Sequence, residues 1–224
     1  MAVFEKLPNS TLREQISVKI RQAILNGDLH EGDRLVERTL AAQFDTSLTG
    51  VREALVQLET EGFVTKKANS ATHVSKLSLE ATQKIFRVRS VLETFATEEA
   101  ARLASPEQVR ELEECYLDLL DSARTQKVQE YVMNDLALHE KIWELTGNEY
   151  LQLALRRIVH PIFAFTAIRF VSCRPFDLLQ DTYLHLPIIE AIKRKNPEDA
   201  KNALLAALHG WSDEAVDLLR PKET

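Results

Sequence analysis

The chain contains few of the residues that mark disulfide-rich, fibrous or low-complexity proteins. Its 224 residues include two Cys, six Gly and seven Pro. Two cysteines, Cys115 and Cys173, are too few for a disulfide framework, which favours a protein of the reducing cytoplasm. The scarcity of glycine, together with long stretches of helical periodicity, predicts a mainly α-helical fold.

Long apolar runs are also missing. No segment approaches the roughly 18 consecutive apolar residues that a membrane-spanning helix needs, which argues against a membrane partner. Residues 1–10 lack the apolar core of a signal peptide, so we expect no secretion. The composition, 45% hydrophobic and 28% charged, is that of an ordinary globular protein. At about 150 residues per domain, the length fits one large or two small domains.

A strong positive charge, which would mark a bulk nucleic-acid binder, is absent as well. The formal net charge is −6, from 28 Lys and Arg against 34 Asp and Glu. Residues 1–75 alone carry nine basic and ten acidic side chains. Binding to DNA would therefore require local clustering of basic residues.

The first 75 residues have the pattern of a winged helix-turn-helix. Helical spacing of apolar residues predicts helices over 11–26, 37–44 and 48–61, the last capped by Ser47. Two short β-type runs, 63–66 and 72–75, predict a small hairpin. Three helices followed by a hairpin form the order of a winged helix-turn-helix, so we assign residues 1–75 to a DNA-binding domain.

Several motifs in this segment carry a specific resemblance. They are Ile24-Leu25-Asn26-Gly27-Asp28-Leu29, Leu40-Ala41, Val51-Arg52-Glu53-Ala54-Leu55 and Glu61-Gly62. Together they resemble the GntR family of bacterial transcription regulators. The resemblance implies double-stranded DNA as a partner. It also implies DNA contacts by Arg38, Ser47, Thr49, Arg52, Lys66 and Lys67.

The helix that follows Ser47 supports this assignment. Its N-terminus has free N–H groups and the positive end of the helix dipole, and both are suited to binding phosphate. An alternative is that Arg38 and Arg52 are solvated or form ion pairs within the protein. The chain also departs from the family pattern, with Leu48 in place of Arg, Gly50 in place of Pro and Ala71 in place of Gly. An Arg–guanine contact contributes about 1–3 kcal/mol of discrimination, so Leu48 predicts a different operator or weaker affinity.

The remaining residues, 76–224, contain only helical patterns. We predict six helices, over 78–104, from Ser105 onward, and over 128–146, 149–173, 177–195 and 197–219. Pro161 and Pro187 lie inside two of them and should kink or locally open those helices. The predicted fold class is thus mainly α, with an N-terminal winged helix-turn-helix followed by an all-α helical-bundle domain.

This second part resembles the FCD ligand-binding domain of the FadR subgroup. The matching motifs are Arg89-Ser90-Val91-Leu92-Glu93, Asp135-Leu136-Ala137-Leu138-His139, and His185 followed by Ile188-Ile189-Glu190-Ala191-Ile192. The resemblance implies a domain for effector binding and dimerisation, and hence a homodimer. It also implies a pocket for a small organic acid, whose carboxylate Arg89 is placed to bind. Arg156, Arg157 or Arg169 could join it.

A divalent metal site is the second expectation. Asp135 and His139 are four residues apart on one helical face, and His185 comes from a distant helix, as when ligands converge inside a bundle. The family resemblance implies a fourth ligand, a histidine, at the position occupied by Ala207. His209 lies two residues further, roughly 200° around the helix. Either His209 reaches the site through a helix irregularity, or water completes it, or no metal binds. The donor set suits Zn, Ni or Mn.

These patterns predict a dimeric, ligand-responsive transcription regulator that binds a pseudo-palindromic operator. One rival is a ligand-binding and dimerising protein whose sequence-specific DNA reading is weakened by Leu48. The other is a metal-dependent enzyme, since His139-Glu140 begins the zincin motif His-Glu-x-x-His. Trp143 occupies the position of the second histidine, however, so we expect no enzyme.

Overall fold

A computed structural model of the protein describes residues 11–66, 71–172 and 177–219. The chain divides into two compact units, residues 1–76 and 77–224. Among the described residues, no helix is both long and apolar enough to cross a membrane.

The first unit contains three helices and a small sheet. The helices are α1 (Leu12–Leu25), α2 (Glu37–Gln43) and α3 (Leu48–Thr60), and the strands are β1 (Arg34–Leu35), β2 (Val64–Lys66) and β3 (Thr72–Val74). The strands are antiparallel in the order β1-β3-β2. The hairpin strands pair with Val64 opposite Val74 and Lys66 opposite Thr72. Strand β1 adds a third strand that the sequence pattern did not predict.

Local chemistry explains where α1 begins and ends. The Thr11 side chain accepts from the Glu14 N–H while the Glu14 carboxylate accepts from the Thr11 N–H, which forms a capping box. At the other end, Gly27 takes a φ of 80°, and the next N–H, that of Asp28, donates to the Ala23 carbonyl. This arrangement is the glycine-dependent end of a helix. Its apolar face, with Ile16, Ile20 and Ile24, is buried in the unit.

Helices are the only regular secondary structure among the described residues of the second unit. Its helices are α4 (Leu79–Leu103), α5 (Pro106–Arg124), α6 (Val128–Glu144), α7 (Glu149–Ser172), α8 (Leu178–Tyr183), α9 (Leu186–Lys193) and α10 (Pro197–Leu219). Together with the sheet of the first unit, they confirm the predicted fold class. Cys173 lies outside the described residues.

One predicted helix is divided in two, which confirms the expected opening at Pro187. The segment 177–195 forms two helices, α8 and α9, instead of one. Pro187 has no N–H to donate, which a helix tolerates only in its first turn. The chain therefore starts a new helix at Leu186, with Pro187 in its first turn and His185 as its N-cap residue. Pro161, by contrast, lies within α7, which continues on both sides of it.

Candidate DNA-binding, metal and effector sites

The exposed N-terminus of α3 is the candidate DNA-reading surface. Ser47 caps it, with its side-chain oxygen accepting from the Gly50 N–H at 3.2 Å. Ser47, Leu48 and Thr49 are all exposed. Helix α3 packs into the unit through buried Val51 and the buried apolar residues one turn further along the helix. The free N–H groups of the first turn are thus presented to solvent, where a phosphate can accept from them.

Basic side chains near this surface share one carboxylate. Arg52 Nε donates to Glu37 Oε2 at 2.6 Å, and Lys66 Nζ lies 3.4 Å from Glu37 Oε1. The Arg52 hydrogen bond is the largest influence on Glu37 and lowers the pKa of its carboxyl. Arg38 is exposed and forms no ion pair with another described residue. Exposed ion pairs contribute about 0–1 kcal/mol, so DNA phosphate can replace Glu37 at little cost. Lys67 lies outside the described residues.

In the second unit, three polar side chains from distant positions converge. Asp135 and His139 lie on α6, and His185 lies at the junction of α8 and α9. One ligand atom from each lies within 4.8 Å of the other two. His185 Nε2 is 3.1 Å and His139 Nε2 3.8 Å from Asp135 Oδ1. All three residues are buried.

A buried carboxylate fixes the orientation of His139. Glu93 Oε1 lies 2.9 Å from His139 Nδ1 and accepts from Trp143 Nε1 at 3.1 Å. Its other oxygen accepts from Arg89 Nε at 2.5 Å. Burial alone would raise the pKa of Glu93, but Arg89 and His139 hold it at about 2. Because Nδ1–H points to a carboxylate, Nε2 of His139 is left facing Asp135, the arrangement found behind metal-binding histidines.

The donor set fits a divalent metal. Asp135 Oδ1 has no hydrogen-bond partner of acceptable geometry among the described residues, despite its burial. Burial would raise the pKa of Asp135, but the neighbouring His185 and His139 lower it, which keeps the group a carboxylate. Burial would likewise lower the pKa of His185, but Asp135 raises it. Two imidazole nitrogens and one carboxylate oxygen suit Zn, Ni or Mn, and Asp135, His139 and His185 would hold the ion.

These residues line a cavity that opens to solvent, and the space of about 550 Å³ around it includes that open solvent. Its polar lining consists of Arg89, Tyr131, Asp135, His139, Thr166, Asp181 and His185. Ala207 also lines it, at the position where the resemblance implied a fourth ligand. His209 is exposed and is not among the lining residues. The expectation that His209 joins the metal ligands is therefore corrected, because two residues along α10 turn a side chain to another face.

Arg89 is held in place while its outer nitrogens reach the cavity. Its guanidinium carbon lies 5.6 Å from the centre of the Phe86 ring and 5.3 Å from that of Phe163. Its Nη2 is 3.5 Å from His139 Nε2. Arg156 and Arg157, the other arginines expected to bind the carboxylate, do not reach the cavity. Arg156 pairs with Glu140 at 2.9 Å, and Arg157 is exposed. The side chain of Arg169 is outside the described residues.

Sequence reasoning missed three polar residues of the cavity. Tyr131 donates to Asp181 Oδ2 at 2.5 Å, and Thr166 is 4% exposed with no partner for its hydroxyl among the described residues. Burial and the charge of Asp135 raise the pKa of Asp181. Asp181 precedes His185 by four residues, as Asp135 precedes His139, and that repeated spacing was an available signal. Thr166 and Tyr131 had no such signal.

A winged helix-turn-helix linked to a helical unit with a polar internal cavity defines a DNA-binding regulator with its own sensor domain. Comparison with known families agrees. Residues 12–74 match the bacterial regulatory proteins of the gntR family, and residues 84–210 match the FCD domain. The chain therefore belongs to the gntR family, in its FCD-containing form. It is a bacterial transcription regulator with a ligand-binding FCD domain, and the resemblance stated from sequence is confirmed.

Curated relatives are similar over most of their length. The Nta operon transcriptional regulator of Aminobacter aminovorans is 27% identical over 190 residues, covering 84% of this chain and 87% of the relative. The gluconate operon transcriptional repressor of Bacillus subtilis is 25% identical over 206 residues, covering 91% and 83%. The solved structure of E. coli McbR/YncC has a TM-score of 0.75 at 20% identity, covering 93% and 97%, which shows a shared fold. The families and relatives are transcription regulators and not enzymes.

Proposed function

We propose that the protein binds a pseudo-palindromic operator as a homodimer and that a small organic acid in the helical unit modulates its DNA affinity. The main support for this proposal is that three buried side chains, Asp135, His139 and His185, meet at the cavity that Arg89 also lines. Small-molecule sites are concave and carry a few convergent polar groups, and the cavity of the helical unit has both features.

On the DNA side, we assign the readout to the N-terminus of α3. Thr49 and Ser47 face a base edge or phosphate from its first turn, and Arg52 exchanges its Glu37 partner for phosphate. Arg38 and Lys66 supply further positive charge. Two copies of this surface in a dimer would occupy half-sites about one helical turn apart, roughly 34 Å.

On the ligand side, Asp135, His139 and His185 would hold a divalent ion, and Glu93 orients His139 from behind. When bound, such an ion supplies a positive charge to which a carboxylate oxygen can coordinate. Arg89 contributes N–H donors to the same carboxylate, since its Nη2 already lies beside His139. The acid changes DNA affinity because it binds one arrangement of the dimer better than another.

The DNA assignment is tested with Arg52→Ala in a gel-shift titration against genomic fragments. We expect weaker retention at every salt concentration and a salt dependence reduced by about one phosphate contact. Arg157→Ala is the matched control, because it removes the same charge from an exposed site in the helical unit. Equal retention by Arg52→Ala and the parent protein would refute the assignment of α3.

The metal assignment is tested by elemental analysis of purified parent protein and His185→Ala. We expect the parent to retain a divalent metal, His185→Ala to lose it, and DNA binding without effector to persist. His209→Ala serves as the control, because that side chain is exposed away from the cavity. Equal metal content in parent and His185→Ala would exclude this site.

A second candidate function rests on Leu48, which is 36% exposed at the position where the family carries arginine. A protein that binds ligand and dimerises, with weak sequence preference, would retain all fragments in the gel shift about equally. A regulator that reads sequence would retain a few fragments far more tightly than the rest.

A further inference from the structure

We propose that Leu48 and Leu12 form an apolar contact for the C5-methyl group of thymine, so that the operator carries a T·A pair at this position of each half-site. The inference rests on the proposed readout of DNA by α3 and names the base that this part of the surface selects. Leu48 then gives the protein a sequence preference of its own, where the family pattern has an arginine.

Two leucine side chains are exposed at the N-terminal end of α3. Leu48 is the first residue of that helix, directly after the Ser47 cap, and is 36% exposed. Leu12 is the first residue of α1 and is 52% exposed. A Cβ atom at Gly50 would lie 3.6 Å from Leu12 Cδ2, so Leu12 reaches the first turn of α3. Both helices therefore present an aliphatic side chain at the same end of α3.

These leucines are continuous with the polar part of the candidate DNA-reading surface. Thr49 follows Leu48 directly, Arg52 lies one turn further along α3, and both are exposed. The N-terminal residues of a recognition helix are the ones that contact base edges in the major groove. When α3 enters the groove, Leu48 is thus placed against a base edge instead of the phosphate backbone.

Thymine is the base whose edge matches an aliphatic side chain. Its C5-methyl is the apolar group that the major groove offers, whereas guanine, adenine and cytosine present only hydrogen-bond donors and acceptors there. A leucine cannot bond those groups, and displacing their water would leave them unpaired. Leu48 and Leu12 therefore favour thymine over each of the other three bases.

The size of the effect follows from the burial of one methyl group. Removing an apolar group of that size from water changes a binding constant by about fourfold. Replacing thymine by uracil removes the methyl group and keeps every hydrogen-bonding group of the base. We expect binding to be about 3- to 5-fold weaker with uracil in one half-site and about 10- to 20-fold weaker with uracil in both. Because the contact neutralises no phosphate, this ratio should not change with salt concentration.

The experiment begins with selection of duplexes from a random-sequence library by the full-length chain. Each thymine of the selected duplex is then replaced by uracil, one position at a time, and Kd is measured by fluorescence anisotropy at two salt concentrations. We expect selection to enrich thymine at one position in each half-site and uracil there to cause the stated loss. Unchanged affinity with uracil at every thymine position would overturn the inference.

Leu48→Ala tests the residue assignment, because it removes most of the apolar contact. The ratio of the thymine and uracil affinities should fall below about twofold, and Leu12→Ala should lower it in the same direction. Leu48→Met keeps an apolar side chain and should retain the ratio. Val56→Ala is the matched control, because Val56 is 61% exposed on the same helix but lies about 12 Å further along it. A ratio in Leu48→Ala equal to that of the parent protein contradicts the assignment.

Failure of this inference is distinguishable from failure of the proposed function. If selection enriches a sequence and Arg52→Ala weakens its binding, while uracil has no effect, the readout by α3 stands and the leucine assignment is wrong. If selection enriches no sequence, the proposed operator readout fails, the inference fails with it, and DNA binding with weak sequence preference is favoured.

Discussion

Substituting Glu93→Gln tests the buried network that supports the candidate site. Glu93 is 1% exposed and contacts Arg89, His139 and Trp143 with its two oxygens. Glutamine has nearly the same shape but only one acceptor oxygen and no charge. If that oxygen replaces Oε1, the bonds from His139 and Trp143 persist, and the new NH₂ group faces the Arg89 donor instead of accepting from it.

The expected loss of stability arises because the Arg89 guanidinium loses its carboxylate partner. Removing one partner of a buried ion pair destabilises by about 3–5 kcal/mol, because the remaining charge is left uncompensated. Two of the three hydrogen bonds are kept, and the nearby charge of Asp135 still faces Arg89. We therefore expect a decrease near the lower end, about 3 kcal/mol, in the free energy of unfolding.

The assay is urea unfolding of the metal-free protein, evaluated by linear extrapolation. Glu98→Gln is the matched control on the same helix, because its contacts to Arg102 and Lys201, at 4.0 and 3.9 Å, are partly exposed and contribute under about 1 kcal/mol. A loss in Glu93→Gln no larger than that of Glu98→Gln would refute the reasoning. The double variant Arg89→Met/Glu93→Gln should recover part of the loss, because no unpaired charge remains.

Metal affinity of Glu93→Gln should fall by about 10- to 100-fold, because His139 loses its charged orienting partner.

Three further predictions concern positions where the chain departs from its family. Ala207→His should tighten zinc binding by about tenfold or more in chelator competition, because the position lines the cavity; unchanged affinity would mean that an imidazole there does not reach the zinc ion. Gly50→Ala should stabilise α3 by up to about 1 kcal/mol and raise Tm, since the added Cβ would meet Leu12 and Thr46 only at ordinary contact, 3.6 and 3.5 Å. A lower Tm would refute this. Leu48→Arg should increase operator affinity about tenfold in a gel shift if the side chain reaches guanine; no gain on any guanine-containing fragment would place it away from the bases.

Much of the fold could be predicted from local signals. Apolar periodicity placed nearly every helix within a few residues, and the Ser105–Gln108 capping box marked the start of α5. The pairing of Asp135 with His139 was equally accessible, since a spacing of four places both on one helical face. These features depend on residues close together in the sequence, which is why pattern analysis finds them.

Features that depend on distant contacts could not be predicted. Strand β1 has two residues and exists because β3 pairs with it, so no alternating pattern marks it. The sequence left open whether Arg52 is solvated or forms an ion pair within the protein, and it could not identify the partner, Glu37, which lies fifteen residues away. The proximity of His185 to Asp135 could be predicted only from the family resemblance. Nothing in the residues themselves showed that a break between α8 and α9 would bring His185 there.

The concentration of polar groups in the helical unit is itself an argument for binding. Arg89, Glu93, Asp135, Asp181 and His185 are all at least nine-tenths buried, where apolar side chains of similar volume would serve stability as well or better. Glu93 has three partners, so it can be explained as structural support. Asp135 and Asp181 repel each other across a cavity, and a neighbouring threonine hydroxyl is unmatched. Like charges and an unmatched hydroxyl lower the stability of the fold, whereas a bound cation and a polar ligand would satisfy these groups, so a ligand accounts for them better than stability does.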